Sequence, residues 1–372
     1  MKIAQIAPIV ESVPPQLYGG TERIVCYLTD ELVRQGHQVT LFASGDSATE
    51  AELVSCVDRA LRLDSAVIDP LPYYAITLDK VRRRQAEFDI LHFHIDCLHF
   101  PLFHPQRRRT VTTLHGRQDL PDLAPLYRAF DDMPVSSISF DQRHPLPHAC
   151  WVGNVHHGLP ADLYPFTPAR RQPYLAFLGR ICAEKQPDHA IEIARRCGIP
   201  LKIAAKVDKA DRAYHDQVIR PLLDQPGIEF LGEIDDAAKA AFLGDALALL
   251  FPIDWPEPFG LVVIEAMACG TPVIAYRRGS VPEIVDDGIS GFIVDGIEGA
   301  VAAVGRVATL DRGGVRRCFE RRFSAERMAR DYLQIYREML GQARTRRPGQ
   351  GSAKEPLRLP RAGNAAGGAA MV

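Results

Sequence analysis

Residues 246–276 read as strand, loop, helix and strand in succession, and this stretch limits the possible folds more than any other. Ala246-Leu247-Ala248-Leu249-Leu250-Phe251 is short, apolar and uninterrupted, the pattern of a strand buried in a parallel sheet. Pro252, Pro256 and Pro258 then forbid regular structure, since each fixes φ and removes a backbone donor. From Gly260 the pattern turns helical and stops at Gly270, a C-terminal cap. Residues 272–276 form the next apolar run. Glu257 is therefore placed in the loop at the C-terminal end of a strand, the edge where open α/β sheets bind ligands. Glu265 falls inside the following helix. The helix N-terminus between the two carboxylates offers unpaired N–H groups and positive dipole to an anion.

The same alternation runs through the chain. In the first half, strands are expected at 2–7, 38–43, 89–94, 110–114 and 135–139, with helices at 20–35 and 78–87. In the second half, strands are expected at 174–178, 201–205, 228–231, 246–251 and 272–276, with helices at 187–197, 236–245, 298–310 and 325–340. Strand–helix alternation of this kind implies a doubly wound parallel sheet in each half. A length of 372 residues suits two domains. The expected division is an N-terminal domain at 1–165, a C-terminal domain at 170–322, and a Pro- and Arg-rich link near 163–173. After Gly341 the sequence is rich in Gly, Ala, Pro and Arg without a core-forming pattern, so 342–372 is expected to be a disordered, solvated tail. Its basic residues leave a weak peripheral contact with an anionic membrane as a second reading.

Composition excludes several classes. The chain is 47% hydrophobic and 24% charged with a net charge of −2, so nothing drives it globally toward nucleic acid. No apolar run approaches the roughly 18 residues of a membrane-spanning helix. The opening Met1-Lys2-Ile3-Ala4-Gln5-Ile6-Ala7-Pro8 is broken too early for a signal peptide. The eight cysteines show no C-x-x-C pair. They read as free, mostly buried thiols of a cytoplasmic protein, not as a zinc or redox site.

Two basic residues stand at a corresponding edge. Tyr174-Leu175-Ala176-Phe177-Leu178-Gly179 reads as a strand that delivers Arg180, and Lys185 follows just before the helix opened by Pro187. A helix N-terminus disfavours cations, so their placement points to an anionic partner, which a guanidinium fork and an ammonium could hold as two phosphates.

The stretch from Glu257 to Glu265 resembles the E-x7-E signature of retaining glycosyltransferases of family 4, which have the GT-B fold. The residues that follow, Ala266-Met267-Ala268-Cys269-Gly270-Thr271-Pro272-Val273, resemble that family's "EAMACGTPV" almost letter for letter. Gly179-Arg180-Ile181-Cys182-Ala183-Glu184-Lys185 resembles its G-R-x3-E-K motif, with Gln186 where Gly is common. The resemblance covers about residues 1–341. It implies two Rossmann-like domains facing across a cleft, with the last helix, 325–340, crossing back onto the N-terminal domain. It also implies an enzyme that moves a hexose-type sugar from a nucleotide-diphosphate donor to an acceptor hydroxyl, with retention, and needs neither metal nor cofactor.

Site roles follow from the same resemblance. Arg180 and Lys185 would neutralise the leaving diphosphate. Glu257 would bind donor-sugar hydroxyls and support charge on the ring. Backbone N–H groups around Phe259, Gly260 and Leu261 would contact sugar and phosphate, and Glu265 would accept from the ribose. In the N-terminal half, Tyr18-Gly19-Gly20-Thr21-Glu22 resembles the family's glycine-rich loop, although Gly19-Gly20 also suits a simple turn. His115 resembles the histidine that contacts the donor sugar, and His94 the second histidine of an H-x-H. A metal site is the other reading of that spacing, but no acidic or Cys cluster completes one. His157 and Pro160 stand where the family usually has Asn and Asp. Arg82-Arg83-Arg84 and Arg107-Arg108-Arg109 read as solvated faces that leave an anionic acceptor open. The competing functions are a nucleotide-sugar epimerase, a non-catalytic nucleotide-sugar binding protein, and an NAD-dependent oxidoreductase. The last lacks a G-x-G-x-x-G after the first strand.

Overall fold

The computed structural model describes residues 1–16, 19–168 and 173–345. Tyr18, part of the link at 163–173, and the basic segment beyond 345 lie outside the described residues. Among these residues the strands form two wholly parallel sheets.

The first sheet holds β1 (Lys2–Ile6), β2 (Gln38–Ser44), β3 (Glu52–Val57), β4 (Ile90–Phe93), β5 (Thr110–Thr113), β6 (Pro134–Ser137) and β7 (Cys150–Asn154). Their spatial order is β3-β2-β1-β4-β5-β6-β7. The second sheet holds β8 (Leu175–Arg180), β9 (Leu201–Lys206), β10 (Ile228–Gly232), β11 (Ala248–Phe251), β12 (Val273–Tyr276) and β13 (Gly291–Val294), in the order β10-β9-β8-β11-β12-β13. Both sheets are doubly wound, and the order reverses beside β1 in one and β8 in the other. The crevice outside the strand C-termini at such a switch point is where ligands bind.

The central strands explain the order. Every residue of β4 and of β11 is buried, as a strand covered by helices on both faces requires. Three strands, β3, β7 and β13, fall outside the expected ranges. β3 was expected as loop, because Glu52-Leu-Val-Ser-Cys-Val sits at an edge, is half-exposed and mixes polar with apolar residues. β13 is four residues long and starts on Gly291, too short to stand out from the surrounding turns. A helix at Arg312–Arg322 was likewise unexpected. It carries five arginines, one glutamate and two glycines, which hides its buried face of Val315, Cys318 and Phe319.

The last helix, Ala325–Thr345, runs past the expected end at 340 and through Gly341. It packs against the first sheet, although the chain has by then traversed the second. The Tyr332 hydroxyl meets Thr113 Oγ1 at 2.7 Å, and the Tyr336 hydroxyl meets His92 Nδ1 at 2.7 Å. Met328, Ala329, Tyr332 and Tyr336 are buried beneath it. Burying a side chain of that size stabilises by about 1.5–3 kcal/mol, so this helix ties the two halves together.

Candidate functional site

The C-terminal edges of the two sheets enclose a cavity of about 490 Å³. Of the residues expected at the site, Gly19, Gly20, His115, Arg180, Lys185, Glu257, Phe259, Gly260, Leu261 and Glu265 all line it. His94 does not. It is 3% exposed and stands behind His115, so the expectation of direct donor contact by His94 is corrected.

Arg180 is the last residue of β8. Carboxylates of Asp211, Asp208 and Glu184 surround its guanidinium at 3.6, 3.7 and 3.8 Å. Lys185 ends a short turn, and Gln186 after it adopts φ 47° and ψ 56°. That left-handed conformation explains why glycine suits the position and costs a non-glycine residue about 1–2 kcal/mol. The Lys185 ammonium contacts Glu257 Oε2 and lies 5.1 and 5.5 Å from the ring centres of Trp255 and Phe251. Trp255 Nε1 donates to the same Glu257 oxygen at 3.0 Å.

A separate segment holds the Glu257 loop. Ser280 N donates to Glu257 O at 3.0 Å and Ser280 Oγ to Phe259 O at 2.9 Å. At Gly279, φ is +51° and a Cβ would lie 2.5 Å from Glu257 N and O, so only glycine lets the two backbones meet. Gly260, with φ +82°, then turns the chain into the helix Leu261–Ala268, whose free N–H groups face the cavity. Further along that helix, Glu265 Oε1 accepts from Tyr164 Oη at 3.2 Å and from Lys239 Nζ at 3.1 Å. Lys239 also pairs with Asp236, which in turn binds Arg23 of the N-terminal half.

The opposite wall is built from neutral rings. His94 Nε2 meets Gln5 Oε1 at 2.7 Å, and His94 Nδ1 meets His115 Nε2 at 2.9 Å. An amide oxygen only accepts, so His94 carries its proton on Nε2 and accepts on Nδ1 from His115 Nε2–H. The remaining nitrogen, His115 Nδ1, is an acceptor, and no partner meets it among the described residues. Burial pushes the His115 pKa down to about 3 and holds His94 and His157 well below the usual imidazole range. His157 stacks on His115 at 5.2 Å and sets its edge to Phe259 at 4.8 Å. The substitution for Asn at 157 thus places an aromatic ring between the two halves.

Trp255, Gly279, Ser280 and the wall residue Glu22 were not assigned roles from sequence. The glycine after β12, at another strand C-terminus, was the available signal for the first three, since a loop there approaches the same edge.

Two family models match the chain. "Glycosyltransferase Family 4" covers residues 18–178 and "Glycosyl transferases group 1" covers residues 165–309. Together they run through both sheets and every lining motif. The chain belongs to the family-4 type of GT-B glycosyltransferases. Similar curated proteins include a D-inositol 3-phosphate glycosyltransferase of Mycolicibacterium smegmatis, 35% identical over 159 residues, or 38% of this chain and 36% of that protein. A second, from Salinispora tropica, is 31% identical over 202 residues, 46% of this chain and 39% of its own length. The match thus spans well under half of these relatives' length. Among solved structures, this family-4 chain resembles AviGT4, a glycosyltransferase involved in avilamycin A biosynthesis (TM-score 0.70, 24% identity, 91% of this chain and 98% of that one). It also resembles Anabaena Alr3699/HepE in complex with UDP and glucose (TM-score 0.69, 18% identity, 91% of this chain and all of that one). At those identities the likeness speaks to the fold.

Proposed function

We propose that the protein transfers a hexose-type sugar from a nucleoside-diphosphate donor to an acceptor hydroxyl, retaining anomeric configuration. One observation carries this reading: two cations, two carboxylates and a helix N-terminus from the C-terminal half face a single cavity. The diphosphate would lie against Arg180, Lys185 and the N–H groups at Gly260 and Leu261. As the bond from the anomeric carbon to the phosphate oxygen breaks, its electron pair passes to that oxygen, where the two cations meet the charge. Removing one such contact typically costs about 3–4 kcal/mol, or roughly 10²–10³ in rate. Exchange of the Lys185–Glu257 contact for a Lys185–phosphate contact would also release Glu257 toward the sugar hydroxyls. Glu265, whose Oε1 holds Lys239 and Tyr164, would accept from the ribose. The bare His115 Nδ1 would accept from a sugar hydroxyl. No metal or organic cofactor is assigned a role, because Arg180 and Lys185 supply the positive charge.

UDP is the first donor nucleotide to try, given the UDP and glucose bound to the Anabaena protein. Incubation with a labelled donor should release nucleoside diphosphate and yield a glycoside with the donor's anomeric configuration by NMR. An epimerised nucleotide sugar, or an inverted product, would refute the proposal. Activity should survive a chelator.

A further inference from the structure

We propose that Glu22 recognises the acceptor, and that the acceptor offers hydroxyl or ammonium donors there and not a phosphate or carboxylate. This inference rests on the transferase reading above and names its acceptor class. Glu22 lies in the first turn of the helix Gly20–Arg34, on the wall of the cavity opposite the diphosphate cations. It is 7% exposed, and a Cβ on Gly19, its neighbour in the cavity lining, would lie 3.1 Å from its Oε2. Its own backbone N–H donates to it, and burial pushes its carboxyl up from the ordinary range. Among the described residues no ion pair reaches it. A carboxylate accepts at about four lone-pair positions, and a buried one left without donors is costly. A first-turn carboxylate serving only its helix could lie in solvent, where the N-terminal dipole would still favour it. Burial at the cavity wall calls for a ligand that donates.

The cations of that wall are already matched. Arg62 pairs with Glu11 at 2.8 Å and Arg23 with Asp236. Glu11 is itself buried and lines the cavity, so a second negative group faces whatever enters. The surface arginines do not help an anion. Arg82 and Arg83 pair with Asp79, Arg84 with Glu52 and Glu87, and Arg107 with Asp132, while Arg109 donates to the carbonyls of Gln85 and Phe88. None of them lines the cavity. An anionic acceptor would meet the Glu22 carboxylate, which no cation pairs among the described residues, whereas a polyol or an amino sugar would satisfy it.

The test is calorimetry on the full chain loaded with its nucleoside diphosphate, using glucose, glucosamine and glucose 6-phosphate as matched probes. The neutral or the amine-bearing probe should bind more tightly than the phosphate. Glu22→Gln keeps shape but removes charge. It should weaken glucosamine by on the order of tenfold or more, as loss of a hydrogen bond to a charged group does, and glucose by less. Nucleotide affinity, measured on the same variant, reports that it is folded. Tightest binding by glucose 6-phosphate overturns the inference. So does an absence of binding by both other probes at tens of millimolar, or a Glu22→Gln variant within about twofold of wild type. If no nucleoside diphosphate binds the wild type, the transferase reading fails first and takes this inference with it. If the nucleotide binds and the probe pattern fails, only this inference falls.

Discussion

The two walls of the cleft stand on the same strand order and carry different chemistry. On the C-terminal wall the charged side chains are matched: Lys185 with Glu257, Lys239 with Glu265, and Arg180 among Asp208, Asp211 and Glu184. On the N-terminal wall His94, His115 and His157 are held neutral by burial, and no ion pair reaches Glu22 among the described residues. A doubly wound sheet therefore supplies only the location. Loops at the strand ends decide whether a wall carries ion pairs or neutral rings. On the proposed function, ion pairs such as Lys185–Glu257 would be exchanged for phosphate and sugar contacts and so act as place-holders. The neutral rings have no such exchange to make, since burial keeps them uncharged.

The sharpest way to break this contrast is Lys185→Ala. Transferase kcat/KM should fall by roughly 10²–10³, and the thermal midpoint should fall as well, because the pair is only one-fifth exposed at the lysine and breaking a largely buried pair leaves its carboxylate unpaired. An unchanged rate would mean that the cation serves structure alone. Gly279→Ala probes the support of the same wall from a segment that touches no substrate. The new Cβ would sit 2.5 Å from the Glu257 backbone. Stability should drop by about 1–3 kcal/mol, and kcat by about tenfold or more, through displacement of Glu257.

The neutral wall should show itself in acid. Native His115 takes its proton near pH 3, whereas the unfolded chain takes it near the ordinary value of 6.5. Between those values the unfolded state binds more protons, so stability is complete above about pH 6.5 and falls as the pH drops toward 3. His92, His94, His99 and His157 shift in the same direction for the same reason. Denaturant titrations should show a steep acid limb, and His115→Asn should flatten it by up to one proton. A midpoint independent of pH from 6.5 to 4.5 would contradict neutral burial. The smallest effect belongs to Gln186→Gly. Relief of the left-handed residue, less the entropy that glycine adds to the unfolded chain, should stabilise by about 1 kcal/mol or less, with a slightly higher melting point as the measurement.

Much of the C-terminal wall was legible in the sequence because its functional residues lie within two short segments, 179–186 and 251–265, each a strand end running into a helix. Local patterning suffices there. The N-terminal wall is assembled from β1, β4, β5 and the segment after β7, and no spacing rule reveals that His94 Nδ1 meets His115 Nε2 while His157 stacks on the far side. His94 was misplaced for this reason: H-x-H spacing puts two imidazoles on one face of a strand but does not say which face borders the cavity. Gly279 and Ser280 escaped notice because their partner, the Glu257 loop, is more than twenty positions away. The edge strand β3 and the short β13 were lost because four to six half-exposed residues carry little periodic signal.

Calorimetric titration of UDP, GDP and ADP into wild type and an Arg180→Ala/Lys185→Ala variant tests the central claim most directly. One diphosphate should bind the wild type at one site per chain, and the double variant should lose at least about 10² in affinity, as expected for two charge-assisted contacts. A wild type that binds none of them at millimolar concentration, or a double variant that binds as wild type does, would contradict the assignment of this cleft.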